Sequence, residues 1–233
     1  MSYSFYEIYI TTQRAFTAMG FPYGSDEDAA FIIAWLELNN FQGISLLSNL
    51  INQLDQKYEG KIKLENLNQT IDFKNKSILM KGAGLIDFIS SEMKYNKKIS
   101  IKIINCSNEI FFLPLLYRAT KYIKSSKLIF YDKNDKINTY IIKDYKIIFY
   151  QEKNKNLKFQ NIVNIVMNKN KENFQYPAIN KLISEKEIQK NLSKSLSPNQ
   201  SSWDIISKIA NKTFVPESDE SRNKGAGGGD DND

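Results

Sequence analysis

The stretch SDEDAAFIIAWLELNNFQG, Ser25 to Gly43, decides how this chain folds. A serine followed by Asp26, Glu27 and Asp28 reads as an N-cap with acids in the first turn, where the helix dipole favours negative charge. From Ala29 to Leu38 the segment is apolar on almost every side, so the helix is predicted to be buried and its neighbours to wrap around it. Upstream, Phe5, Ile8, Tyr9, Thr12, Ala15, Phe16 and Met19 fall on one helical face and Gly20 ends the pattern. Downstream, Ile44, Leu47, Leu50 or Ile51, Leu54 and Tyr58 predict a third, one-sided helix. Residues 4–58 thus form a helical unit around the helix that holds Trp35.

From about residue 60 the apolar runs shorten. NQTIDF, SILM, ISIKIINC, KLIFYD, TYIIKD, YKIIFYQ and FQNIVNIVM are rich in β-branched and aromatic residues and bounded by Asn, Asp, Lys or Gly, which predicts strands of one sheet. LIDFISSEM and a segment beginning near Leu113 interrupt them as helices, with Pro114 fitting only a first turn. SEKEIQKNLSKSL and SSWDIISKIANKT, the latter capped by Ser202, close the pattern. The predicted fold class is α+β: an N-terminal three-helix unit packed on a central mixed sheet, followed by C-terminal helices and a Gly/Asp tail. A single domain is expected over 1–215 (helical 4–58, mainly sheet 60–170, helical 184–213), with an acidic, glycine-rich tail at 216–233.

Composition removes several chemistries. The chain has no histidine, so zinc-hydrolase, Ser-His-Asp and Cys-His readings are gone, and any proton transfer must use Asp, Glu, Lys, Tyr, Cys, water or a cofactor. One cysteine forms no internal disulfide, and no apolar run reaches the roughly 20 residues that cross a bilayer. A soluble, cytoplasmic, bacterial protein without a membrane partner is expected. Of the 32 basic residues only Arg14, Arg118 and Arg222 are arginine. Scattered lysine is the ordinary state of a solvated surface, so a nucleic-acid partner is disfavoured. The tail carries six acids against two bases, leaving 30 bases against 20 acids, a body of +10.

Five places carry candidate chemistry. KGAGLID, Lys81 to Asp87, lies between the predicted strand SILM and a helix, where the amides around Gly82 and Gly84 would form either a plain tight turn or an anion cradle. Cys106 ends a strand and is a weak candidate nucleophile, set against a small buried thiol. Arg14 and Arg118 sit on predicted helices; arginine grips carboxylate or phosphate with two parallel hydrogen bonds, so they, with Arg222, are the anion-binding candidates, set against surface salt bridges. The many tyrosines are enough to line a pocket, set against core and rim packing. In the closing GAGGGDDND, Asp230, Asp231 and Asp233 are weak candidate ligands for a hard cation or a means of docking on the basic body, set against a solvated end.

The opening SYSFYEIYITTQRAFTAMGFPYGSDEDAAFIIAWLELNNFQG and the closing TFVPESDESRNKGAGGGDDND resemble a family of small proteobacterial proteins of unknown function that end in a Gly-Ala-Gly run followed by Asp-Asn-Asp. That resemblance implies no activity, cofactor or residue role. A second likeness, over AFTAMGFPYGSDEDAAFIIAWLELNNFQGISLLSNLI, is to the N-terminal helix pair of the malate/L-lactate dehydrogenase family, which binds a nicotinamide cofactor. That family follows its second helix with Asp-Ser-His-Gly, which carries the catalytic histidine; here the segment reads FQGISLL. The expected function is binding of a small anionic ligand or assistance to a metabolic enzyme, as a homo-oligomer and with cofactor unknown. The alternative is a histidine-independent enzyme acting on a small carboxylate or amide.

Overall fold

The computed structural model describes residues 1–62, 70–132, 136–153, 162–170 and 177–214. Four helices open the chain: α1 (Phe5–Ala18), α2 (Ser25–Leu38), α3 (Gly43–Ser48) and α4 (Ile51–Leu54). A capping box closes the start of α1, Ser4 Oγ accepting from the Glu7 amide and Glu7 returning the bond to the Ser4 amide. Helix α2 is the buried centre as predicted, with Ala29, Ala30, Ile32, Ile33, Ala34, Trp35 and Leu36 all removed from solvent. Its cap differs from the sequence reading. Gly24 is the N-cap and Ser25 is the first helical residue, because the Ser25 hydroxyl is hydrogen-bonded to Tyr58 Oη at 2.8 Å and caps nothing. The expected third helix is two, α3 and α4, broken at Asn49–Leu50.

Seven strands form one sheet: β1 (Thr70–Asp72), β2 (Lys98–Ile104), β3 (Ser125–Tyr131), β4 (Lys136–Lys143), β5 (Lys146–Lys153), β6 (Ile162–Asn168) and β7 (Lys181–Ile183). Their order is β1-β2-β6-β3-β4-β5-β7, with β1 and β2 parallel and every other pair antiparallel. The sheet is therefore mixed. Register places Ile101 opposite Ile165, Ile165 opposite Leu128, Leu128 opposite Tyr140 and Tyr140 opposite Phe149, a row that joins the same core as the helices. The alternate residues Ile141, Ile148 and Tyr150 form a separate small cluster, as the two-residue period of a strand requires.

Between the strands lie α5 (Ile78–Glu92) and α6 (Phe112–Ala119), and after them α7 (Glu185–Leu192) and α8 (Gln200–Ala210). SILM is not a strand: it opens α5, with Ser77 Oγ accepting from the Leu79 amide at 3.2 Å as the N-cap. Pro114 stands in the first turn of α6, as expected. The last helix is capped by Asn199, whose side chain accepts from the Ser202 amide, and not by Ser202 itself. Helix α1 packs on α2 and α8, and α2 on α5 and α6, so the N- and C-terminal helices and the crossover helices share one core with the sheet. Among the described residues no helix is long and apolar enough to cross a membrane.

Candidate functional site

Helices α2, α5 and α6 meet where the first turn of α2 faces the middle of α5 and the last turn of α6. The approach of α5 to α6 depends on Gly82, where an added Cβ would lie 2.6 Å from Ile78 Cγ2 and 3.1 Å from Leu115 Cδ1. Its neighbour Gly84 faces open space instead. Both glycines lie inside α5, so their amides belong to the helix ladder and there is no phosphate-cradling turn at KGAGLID. That corrects the placement read from sequence, and it brings forward Asp87 of the same stretch, on the solvent side of α5.

Arg118 in the last turn of α6 is the centre of the junction. Its Nη1 donates to Asp28 Oδ1 at 2.6 Å, and its guanidinium carbon sits 5.2 Å from the Phe31 ring centroid. About a third of each charged side chain stays accessible, 31% for Arg118 and 33% for Asp28. Among the described residues the other Arg118 N–H groups have no protein acceptor, so the guanidinium is held on one side and open on the other. Asp28, Asp87, Ser90, Arg118, Lys121 and Tyr122 surround a hollow of about 270 Å³. It continues into a cleft of about 690 Å³ that shares Asp87, Ser90, Lys121 and Tyr122 and adds Ser91, Lys94 and Lys169. That is the size of a small-metabolite site.

The electrostatics of this cleft are uneven. Partial desolvation pushes the Asp87 carboxyl above the ordinary carboxylate range; the Arg118 guanidinium opposes the shift and the Asp28 carboxylate adds to it. Three ammonium groups face the same space. Lys94 lies within the turn after α5, Lys121 within the turn after α6, and Lys169 follows β6. Among the described residues none of the three is in an ion pair, and Lys169 Nζ reaches only the Lys94 carbonyl, at 3.4 Å. Such a site can hold an anion: a fixed guanidinium for a planar carboxylate, mobile lysines around it, and a carboxyl of raised pKa alongside to exchange a proton or accept a ligand hydroxyl.

The other candidates lie elsewhere. Arg14 is on α1 with its guanidinium carbon 4.7 Å over the Phe214 ring, far along the chain from the cleft elements. Cys106 is in the core at 1% exposure, and burial, with the Glu109 carboxylate adding to it, pushes its thiol up to about 12. It is a thiol at neutral pH, which matches the small buried thiol of the sequence reading. Arg222, Asp230, Asp231 and Asp233 lie outside the described residues. Among the described residues there is no cluster of three or more acidic or cysteine side chains able to hold a metal. Sequence reading missed Asp28, Asp87 and the three lysines. The Asp87–Ser91 spacing of four, one turn apart on α5, was the available signal, and the lysines come from separate turns and a strand end that only the packing brings beside it.

FQGISLL, the segment compared with the dehydrogenase motif, has a structural explanation. Gln42 is the exposed N-cap of α3 at φ 54, and Gly43 is wedged against α2, where a Cβ would meet the Ile33 carbonyl oxygen at 2.2 Å. The next amide, Ile44 N–H, donates to Glu37 Oε2 at 2.9 Å. The glycine is needed for this helix contact whatever stands before it.

Comparison with known proteins follows the same division. Residues 3–84 match a family described as Protein of unknown function (DUF3726). A search of curated proteins finds no match in sequence. Among solved structures the chain is similar to an E. coli protein assigned as a malate/lactate dehydrogenase, at 8% identity over 93% of this chain and 96% of that one, with a TM-score of 0.65. It is similar also to the sulfolactate dehydrogenase of Methanocaldococcus jannaschii, at 10% identity, 91% and 97% coverage and a TM-score of 0.61. The malate dehydrogenase of Entamoeba histolytica matches at 8% identity, 93% and 99% coverage and a TM-score of 0.60. The dehydrogenase likeness seen in the first two helices therefore extends over nearly the whole chain as a fold, and the fold is what it shows.

Proposed function

We propose that this protein binds a small anionic metabolite of the hydroxycarboxylate type in the cleft between α2, α5 and α6, without hydride transfer. The observation that carries the proposal is Arg118, fixed on one side by Asp28 and lining, with Lys121, a hollow that adjoins the cleft of Lys94, Lys121 and Lys169, three lysines outside any ion pair among the described residues. Its structural neighbours bear names for malate, lactate and sulfolactate, all small hydroxy acids, and this cleft has the charge and size for that class. Nicotinamide chemistry does not fit the residues. The chain has no histidine, Gln42 stands in the segment where the dehydrogenase motif carries one, and the glycine run is spent inside α5. Cytoplasmic location, a homo-oligomeric state and assistance to a metabolic enzyme complete the proposal.

Calorimetric titration with L-malate, L-lactate and sulfolactate tests it. One of them is expected to bind and to raise the melting temperature, with no change of nicotinamide absorbance when NAD is added. Turnover of any of these acids would contradict the non-catalytic reading, and no binding by any of them would remove the ligand class. A second reading, a histidine-independent enzyme, is favoured by one observation: Asp87, with its raised pKa, faces the same hollow as the anchoring Arg118. It requires product to form and to vanish in Asp87→Asn while the ligand still binds.

A further inference from the structure

Outside the cleft, one charged side chain is buried in a way that solvation does not explain. Lys81, four residues into α5, is 5% exposed and is the one lysine so buried among the described residues. Lysines are almost never enclosed without a reason, because removing an ammonium from water is costly. Its Nζ lies 3.1 Å from Glu59 Oε1, while Glu59 Oε2 takes Lys76 Nζ at 3.1 Å. Both oxygens of the single nearby partner are thus shared between two lysines.

Lys81 forms a wall of a separate cavity of about 480 Å³ between β1, the turn into α5 and the segment at residues 59–62. Lys61 and Lys74 line it too, and among the described residues neither is in an ion pair. The second acid on its wall, Asp72, is already engaged, its Oδ1 accepting from the Lys74 amide at 2.7 Å and from Asn105 Nδ2 at 3.0 Å. The hydrogen bonds from Lys76 and Lys81 hold Glu59 below the ordinary carboxylate range, and those from the Lys74 amide and Asn105 do the same for Asp72. Three lysines, Lys61, Lys74 and Lys81, line the cavity with two carboxylates, and Lys76, outside the lining, also pairs with Glu59; the whole group carries four positive charges against two negative ones, with Lys61 and Lys74 the two outside any ion pair among the described residues.

We propose that this cavity is a second anion site, distinct from the cleft, that takes a phosphate group. Two unmatched ammonium groups suit a dianion better than a monocarboxylate, and lysines bind phosphate oxygens as mobile point charges where no arginine fork is present. The Thr70 hydroxyl on the rim adds a donor. The phosphate arrives either as free orthophosphate or on a small phosphate monoester, and the surrounding Ile62, Ile71 and Phe73 leave an apolar wall for the ester's carbon part. Lys81 anchors the group, and Lys61 and Lys74 close over it.

The test is titration of the full chain with orthophosphate and with glycerol 3-phosphate, at constant ionic strength, read by calorimetry and by the ³¹P resonance. Saturable 1:1 binding of at least one is expected, weakened about tenfold by Lys74→Ala or by Lys61→Ala, both exposed positions whose loss leaves the fold intact. Lys81→Met is expected to abolish binding, and its circular dichroism shows whether it folds. Tighter binding of the ester assigns the ester as ligand; equal or weaker binding assigns free phosphate. Lys121→Ala in the cleft is expected to leave phosphate affinity unchanged. Absence of saturable phosphate binding overturns the proposal. So does binding that survives the paired Lys61→Ala and Lys74→Ala changes, or that is lost on Lys121→Ala.

Discussion

Replacing Arg118 by Met separates the two jobs the guanidinium does. Its 2.6 Å contact with Asp28 is a charge-assisted hydrogen bond between side chains that each remain about one-third accessible, 31% and 33%. Solvent screening at that exposure limits its contribution to stability to about 0.5–1 kcal/mol, and Met also gives up the guanidinium's contact with the Phe31 ring, about 0.5–1 kcal/mol more at an exposed site. Ligand binding should suffer more. A hydrogen bond to a charged group contributes about 1.5–3 kcal/mol, so a carboxylate that loses the guanidinium should bind roughly 10- to 150-fold more weakly. Asp28→Asn is the control: it loses the ion-pair increment alone, yet it leaves Arg118 cationic and relieves it of a competing carboxylate, so affinity is retained or rises. Urea denaturation gives the stability changes and calorimetry the affinities. Binding within twofold of the parent in Arg118→Met, together with loss of binding in Asp28→Asn, would refute the assignment of Arg118 as the anchor.

Three further outcomes follow from the same geometry. Asp87 has a raised pKa, so the neutral acid is the form the fold favours; its stability contribution is present at low pH and is lost as pH rises through the folded-state pKa. Its ionisation also places a negative charge in the anion cleft, so affinity should fall over that same rise, and Asp87→Asn should flatten the pH profile and tighten binding on its high-pH side by roughly fivefold, about 1 kcal/mol for one unit charge at an open site. The Cys106 thiol, buried and pushed up to about 12, should not react with a thiol reagent at pH 8 in the native protein and should react fully in denaturant; rapid native labelling would show that the core around it opens. Gly43→Ala would drive a Cβ to 2.2 Å from the Ile33 carbonyl oxygen, which is backbone and does not yield cheaply, so a loss of about 3 kcal/mol or more is expected in chemical denaturation and a near-neutral result would mean that α3 docks on α2 differently.

The fold was legible where a single periodicity ruled. Ala29 to Leu38, apolar but for Glu37, lies at the centre of the helices, and the runs from ISIKIINC to FQNIVNIVM became β2 to β6. It was illegible where a run was short. SILM has only four residues, too few to tell a buried strand from the first turn of a helix, and what decides it is the Ser77 cap. Two glycines then argued against helix in KGAGLID, since glycine costs backbone entropy there, but at Gly82 the close packing of Leu115 offsets that cost and no local rule can show it. β7 is three residues at the sheet edge and carries no pattern of its own. For the site, arginine scarcity pointed to Arg118, whereas its partner Asp28 lies 90 residues away and became visible only when α6 was packed beside α2.

Every outcome for the cleft depends on one proposal, that ligand binds at the α2–α5–α6 junction. Amide chemical-shift mapping of the ¹⁵N-labelled chain during titration with L-malate, L-lactate and sulfolactate tests it most directly. Saturable shifts are expected at Asp87, Ser91, Arg118, Lys121 and Lys169, all on or beside the cleft. Shifts confined to α1 and α8 around Arg14 and Phe214, or none from any of the three acids, would contradict it.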